Sequence, residues 1–369
     1  MADLQEIVDD LEAEIRRPIS VEDRRWRLLA HSAQPDEADA VRRSSILTRE
    51  TSPPVAAWLD GLGLQRARDL VDVPRNDELG MTRRGCLPIR HGDVLLGFLW
   101  VIVGDRPLTD AERAGLQRGG EEVAANLWAR HRAADDRRRR TTELLERLFA
   151  GDARAPQDLA ATLRWPERGA YVVAVCEGDD TIAERLRRTR AAFDVAALER
   201  GDRVTILIRE PAAVQNALNV RNGGLSAPFT DLKDAPAARR QAETAALCAR
   251  AQPNLGPVAA YDQLGSWAMI AELWSAADHP GPLPAILALV EHRRGDQLVE
   301  ALEGLLDHGG DVADAAKRLN MHRATLYRRL QRVEEITGLD LQKGDDRLLA
   351  HLGLRLHRLN ATTVAPPPR

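Results

Sequence analysis

The stretch Leu305-Leu-Asp-His-Gly-Gly-Asp-Val-Ala-Asp-Ala-Ala-Lys-Arg-Leu-Asn-Met-His-Arg-Ala-Thr-Leu-Tyr-Arg-Arg-Leu-Gln-Arg-Val-Glu-Glu-Ile-Thr-Gly-Leu-Asp-Leu341 decides the fold at its end of the chain. Leu326, Leu330, Val333 and Ile336 recur at spacings of four, three and three. That period predicts a helix over about 323–337 with one apolar stripe, and Gly338 is placed to cap it. The opposite side carries Arg323, Tyr327, Arg328, Gln331 and Arg332. Upstream, Val312, Ala315, Ala316 and Leu319 form the inner face of a shorter helix with Asp311 as N-cap. Asn320-Met321-His322 makes a tight turn between the two. An amphipathic helix over Gln297–His308 precedes them, with Leu298, Ala301, Leu302, Leu305 and Leu306 inward, and Gly309-Gly310 stops it.

Two short helices across a tight turn, the second one cationic, make a helix-turn-helix. Between Lys317 and Arg332 stand six Lys or Arg residues and no acid; acids resume at Glu334-Glu335. An α-helix fits the major groove of double-stranded DNA, and Arg can bond guanine bidentately while flanking Arg and Thr bind phosphates. The charge places Lys317, Arg329 and Arg332 in the same candidate interface as Arg323 and Arg328.

The whole chain of 369 residues has a formal net charge of −4, so it is not a uniformly basic nucleic-acid binder; the positive charge is local. All but three of its 52 basic residues are arginine. Aromatics make up only 4%, and its cores must rest on Leu, Val, Ile and Ala. Cys86, Cys176 and Cys248 are far apart, with no CxxC pair, which fits small core residues in a reducing compartment. The acidic N-terminus is unlike a signal peptide, and the longest apolar run, Val94–Val103, is too short for a bilayer. A cytoplasmic protein without membrane contact is the expectation.

Outward from the C-terminal segment, the rest of the chain alternates helical and strand patterns. Leu4, Ile7, Val8, Leu11 and Ile15 space a first amphipathic helix. Val21–Ala30 reads as strands turning at Glu22-Asp23, and 39–70 as helix interrupted by Pro53-Pro54, Gly61 and Gly63. Cys86-Leu-Pro-Ile-Arg-His-Gly-Asp-Val-Leu-Leu-Gly-Phe-Leu-Trp-Val-Ile-Val103 is a β-hairpin pattern whose second strand, apolar on both faces, belongs at the centre of a sheet. Thr109 caps a closing helix. From Glu121 to Phe149 a long helix carries a weak heptad seam of Ala124, Leu127, His131, Ala134, Arg138, Thr141, Leu145 and Leu148. The run Arg137–Arg140 on it reads as a solvated face.

Beyond Gly151, Ala170–Cys176 is a strand, Ile182–Arg190 a helix, and Phe193–Ile208 two strands around Arg200-Gly201-Asp202. Ala235–Ala251 is helical, and a Pro- and Gly-rich boundary over 253–284 frames a helix at Trp267–Ala277. A final helix, Asp345–Leu359, would bury Leu348, Leu349, Leu352, Leu356 and Leu359.

Three resemblances follow from these residues. The segment Leu305–Leu341 resembles the C-terminal helix-turn-helix of PucR/CdaR-family transcriptional regulators and, more distantly, the Fis-type motif. That likeness implies that His322, Arg323, Thr325, Tyr327 and Arg328 face DNA. The family usually carries Asn at the place of Ala324 and often Arg at that of Tyr327, so its target sequence does not carry over. Ala170–Ala251, with Gly224-Leu-Ser226 and Asp231-Leu232, resembles a GGDEF-like domain. It departs from diguanylate cyclases at the hairpin tip, where Gly201 and Asp202 are followed by Arg203 in place of an acid. Residues 1–120, through the hairpin, Gly97-Phe-Leu-Trp100 and Gly104-Asp-Arg-Pro-Leu-Thr-Asp110, resemble a degenerate GAF domain.

The expected fold class is therefore α+β and multidomain. It comprises a GAF-like sensory domain (1–120), a linker or dimerisation helix (121–150), a degenerate GGDEF-like domain (151–255), a connector (256–295), an all-α helix-turn-helix domain (296–360) and a disordered tail (361–369). The expected function is a homodimeric, sequence-specific DNA-binding transcriptional regulator with no catalytic residues, metal or cofactor, and with a small-molecule effector possible at the GAF-like domain. A scaffold with a protein-binding C-terminal domain is the alternative and would associate without steep salt dependence; a nucleotide cyclase lacks its acids.

Overall fold

The computed structural model describes residues 3–33, 39–178, 195–210 and 223–364. The chain divides into two compact units, Met1–Arg139 and Arg140–Arg369. The helix predicted over 182–190, the residues Phe193 and Asp194, and the tail beyond Val364 lie outside the described residues.

The first unit is a five-stranded antiparallel sheet between two helical layers. Its strands are β1 (Ile19–Asp23), β2 (Leu28–His31), β3 (Val71–Val73), β4 (Arg84–His91) and β5 (Val94–Ile102), in the order β2-β1-β5-β4-β3. The doubly apolar strand β5 is central, as its pattern demands. One face packs α1 (Leu4–Ile15) and the start of α4 (Asp110–Phe149), through Leu4, Val8, Leu11, Leu116 and Val123. The other face packs α2 (Ala40–Thr48) and α3 (Pro53–Gly61) over Trp26, Phe98 and Trp100.

Three details differ from the sequence expectation. The β1–β2 turn lies beyond Asp23, since Glu22 and Asp23 pair with Phe98 and Gly97 of β5. Pro53-Pro54 starts α3 instead of interrupting it, as Pro suits a first helical turn. The closing helix and the linker helix are one helix of 40 residues, opened by a reciprocal cap between Thr109 and Glu112.

In the second unit, α5 (Ala155–Leu163) precedes a sheet of β6 (Arg168–Glu177), β7 (Val195–Arg200), β8 (Arg203–Arg209), β9 (Gly223–Leu225), β10 (Phe229–Asp231) and β11 (Val258–Ala260). Its order is β11-β9-β6-β8-β7, with β10 on β6. The β7–β8 hairpin turns at Gly201, as predicted. Helix α6 (Ala235–Ala251) lies against β9 so closely that a Cβ on Gly224 would stand 2.1 Å from the Ala242 carbonyl oxygen. Only glycine fits there, and the alanines of α6 keep the approach short.

The segment 256–295, expected as a connector, is folded into the unit. β11 pairs in parallel with β9, α7 (Ser266–Ala276) packs on α6, and α8 (Pro284–Val290) joins the core of the helices that follow. Those are α9 (Gly295–Asp307), α10 (Val312–Arg318), α11 (Arg323–Thr337) and α12 (Gly344–Val364). On α12 the structure corrects the predicted buried face. Leu348 and Leu349 are exposed, and Ala350, Gly353 and Leu354 face inward. A Cβ on Gly353 would meet Ile286 at 2.6 Å, so the contact with α8 needs small residues rather than leucine.

One buried charge stands out in the first unit. Glu22 is 5% exposed, and its carboxylate accepts from Trp100 Nε1 at 3.1 Å and from the Thr51 hydroxyl at 3.3 Å. Burial pushes its carboxyl up to about 7, against the opposing pull of Arg84, which bonds both oxygens of Asp39 at 2.6 Å. A raised folded pKa means the native state holds the proton more tightly than the unfolded chain. The stability this contributes is full below about 4.5 and is lost as pH rises through about 7. Urea unfolding of the wild type relative to Glu22→Gln should therefore worsen by about 3 kcal/mol from pH 5 to pH 8. A pH-independent difference between the two proteins would show that Glu22 does not carry this linkage.

Candidate nucleic-acid interface

The interface is built on α11, whose bounds coincide with those predicted from spacing. Leu326, Leu330 and Val333 are buried against α9 and α10, in a core that also holds Leu298, Leu302, Ala315 and Ala316. Asp311 caps α10 by accepting from the Ala313 and Asp314 amides at 2.7 and 3.1 Å. Those amide bonds hold the Asp311 carboxyl below the usual carboxylate range. Gly338 ends α11 in the left-handed conformation, its amide bonding the Glu334 carbonyl.

With the apolar stripe inward, helical phase turns Arg323, Tyr327 and Arg328 to solvent. Tyr327 is 59% exposed, a large apolar surface left open on a short domain. Thr325 and Lys317 are exposed as well. Among the described residues, the side chains of Lys317, Arg323, Thr325, Tyr327 and Arg328 have no hydrogen-bond or ion-pair partner. These five are all exposed on α10 and α11.

The other three predicted residues are engaged. His322 is the N-cap of α11, where its Nδ1 accepts the Ala324 amide at 3.2 Å. The ring proton then sits on Nε2, at the exposed edge. Arg329 turns back onto α9, donating to the Gln297 carbonyl and to Glu300 at 3.2 and 3.1 Å. Arg332 pairs with Glu335 at 2.7 Å while half exposed, a contact of little energy that a phosphate could replace. The place of Arg329 was legible in principle, since it neighbours Leu330 and lies three residues past Leu326, at the rim of the stripe. The cap role of His322 was not, because Ser, Thr, Asp and Asn are the residues that signal a cap.

A family model described as the PucR C-terminal helix-turn-helix domain matches residues 298–356, which hold this whole surface. The chain is a DNA-binding transcriptional regulator that carries a PucR-type helix-turn-helix domain. A second model, described as a GGDEF-like domain, matches residues 150–247, from the end of α4 through most of α6. A curated relative, the DNA-binding transcriptional activator AdeR of Bacillus subtilis (strain 168), is 22% identical over 394 residues, covering 97% of this chain and 93% of the relative. A solved structure, the Regulator of Polyketide Synthase Expression from Bifidobacterium adolescentis, is 19% identical and covers 60% of this chain and 92% of its own. Its TM-score of 0.30 is too low for the two folds to be laid on each other.

Elsewhere in the regulator, no helix among the described residues is long and apolar enough to cross a membrane. Nor do three His, Cys, Asp or Glu side chains gather as a metal site among them. His308 bonds the Gly304 carbonyl and His351 faces Asp307. All three cysteines are buried, and burial pushes the Cys248 thiol up to about 12.

The cap assigns His322 a stability role separable from DNA contact. His322→Ala should destabilise the helical core of 295–364 by about 1 kcal/mol, and His322→Asn, which can still cap, should restore most of it. Hydrogen-exchange protection of the α11 amides in the full chain measures both. Equal protection in all three proteins would remove the cap from the argument.

Proposed function

We propose that the regulator reads double-stranded DNA by inserting the N-terminal half of α11 into the major groove. The observation that carries this reading is the exposed, unpartnered set Lys317, Arg323, Thr325, Tyr327 and Arg328 beside a buried apolar stripe. Arg323 and Arg328 are both exposed and stand five residues apart, about 7.5 Å along the helix axis, so each would reach a different part of the groove. Thr325 and Lys317 flank them as phosphate contacts, with His322 Nε2 and Arg332 at the margins. In this reading Arg329 orients α11 from behind, through Gln297 and Glu300.

The remaining assignments follow the same reading. Residues 1–120 form the sensory or associating domain, 121–150 the link, 151–255 the degenerate GGDEF-like domain and 256–295 the connection to the helix-turn-helix domain of 296–360, whose last helix, α12, runs on through Val364 into what the sequence suggested as tail. A homodimer would match paired half-sites on DNA. The protein works in the cytoplasm and has regulation as its task, with no reaction of its own. The tip Arg200-Gly201-Asp202-Arg203 offers one acid where metal-assisted phosphoryl chemistry needs more.

A gel shift on the promoter region of the regulator's own gene tests the interface. Arg323→Ala and Arg328→Ala should each weaken specific binding by about 1–3 kcal/mol. Binding should also fall steeply with salt, about one unit of log–log slope for each phosphate contact, and Lys317→Ala should remove about one unit. Tyr327→Ala should change base preference. Full-strength binding by both arginine variants would refute the placement of α11, and salt-insensitive binding would favour a protein-binding domain.

A further inference from the structure

The second unit holds a groove of about 780 Å³ on the side of the molecule where β6 and β8 meet α6 and α7. That volume lies within the range of small-molecule sites, roughly 300–1,000 Å³. Its accessible apolar wall is Leu247; Trp274 also borders it but is almost wholly buried and carries the ring of His279 at 4.1 Å between centroids. Arg203, Arg240 and Arg250 line it too.

The charges do not balance. Glu177, opposite Arg203 in the β6–β8 register, is held by Arg250 at 3.0 Å. Glu243 is paired along its own helix with Arg239 at 3.0 Å, and Glu272 is bonded by the Tyr261 hydroxyl. Each acid of the groove has a partner, whereas Arg203 and Arg240 have none among the described residues. Two guanidiniums facing a partly apolar hollow form a planar, bidentate receptor for an oxyanion.

The groove also touches the DNA-binding domain. Trp274 is 2% exposed, and its Nε1 donates to Asn360 Oδ1 of α12 at 3.0 Å. Asn360 in turn donates to the Pro280 carbonyl at 3.0 Å, just past His279. The same α12 contributes Ala350 and Leu354 to the core that carries α11.

We propose that this groove binds a small organic oxyanion, a carboxylate or a phosphate ester, held by Arg203 and Arg240 with its apolar part against Leu247, beside Trp274 and His279. Its occupancy is transmitted through the Trp274–Asn360 bond to α12 and so to DNA affinity; this second part rests on the DNA-binding reading above. Isothermal titration of the full chain without DNA tests the site, with succinate as the carboxylate probe and glycerol 3-phosphate as the phosphate probe. One of them should bind saturably below about 10 mM. The Arg203→Ala/Arg240→Ala double variant should lose that binding by roughly tenfold or more, while a double lysine variant keeps part of it. The charge-matched control Arg137→Ala/Arg138→Ala should bind as the wild type does.

No saturable heat from either probe, or equal binding by the double alanine variant, overturns the site. An unchanged thermal midpoint in that variant excludes misfolding as the cause of a loss. With the binding probe present, affinity for the promoter fragment should shift by about fivefold or more, and Trp274→Phe should abolish the shift while keeping the anion. An unshifted affinity overturns the transmission alone. A chain that binds no DNA at all sinks the DNA-binding reading, and the calorimetry still decides the groove.

Discussion

Everything the C-terminal domain can do depends on the rotational setting of one helix. Burying Leu326, Leu330 and Val333 against α9 leaves α11 a single orientation. At 3.6 residues per turn, that orientation carries Arg323, Tyr327 and Arg328 to the solvent side. The setting is held from two directions. Apolar burial holds it from below, and Arg329 clamps it to α9 from the rim. A chain with a net charge of −4 can therefore present a cationic edge, because Lys317, Arg323 and Arg328 stand exposed and, among the described residues, unpaired there, while Arg329 and Arg332 are engaged by Glu300 and Glu335.

The helix that follows has a different task. α12 begins in the core of the DNA-binding helices through Ala350 and Leu354 and ends beside α7 through Leu359 and Asn360. Small residues mark its crossing with α8, where Gly353 admits Ile286. Arg355 lies over the Trp267 ring at 5.0 Å, and Arg358 bonds Glu303 of α9 at 2.6 Å. Burial outweighs that pairing at Glu303, whose carboxyl is pushed above the usual carboxylate range. A helix tied on both sides by packing and by charge moves as a whole or not at all, so it is a suitable element for carrying a signal.

Sequence periodicity served best where a segment is long and one-sided. The bounds of α11, the span of α6 and the central place of β5 were all legible, because each pattern reports one buried face. It misled where a helix serves two cores. The leucines of α12 form a clean stripe, yet Leu348 and Leu349 face water, since close helix crossings select glycine and alanine and leave the leucines at the flanks. Pro53-Pro54 misled for another reason, as the same dipeptide that breaks a helix interior opens a helix start. At the interface, residue type predicted exposure well. It could not predict that His322 would use one ring nitrogen on its own helix, which is a matter of turn geometry.

The heptad pattern of α4 makes the same point about partners. Its apolar positions cluster at the two ends, and both ends are occupied within the chain. Leu116, Val123 and Leu127 are buried in the first unit's core, and Leu144, Leu145 and Leu148 in that of the second. Between them stand Arg130, Arg132, Asp135, Asp136 and the four arginines of 137–140. A coiled coil needs apolar residues at successive a and d positions facing a partner. Of the seam residues of α4, Leu127, Leu145 and Leu148 already have neighbours in their own chain, and the stretch between them is mostly charged, with Ala134 and Thr141 as its uncharged members. At both ends of the helix, then, the apolar spacing records two separate cores of one chain, written along a single helix.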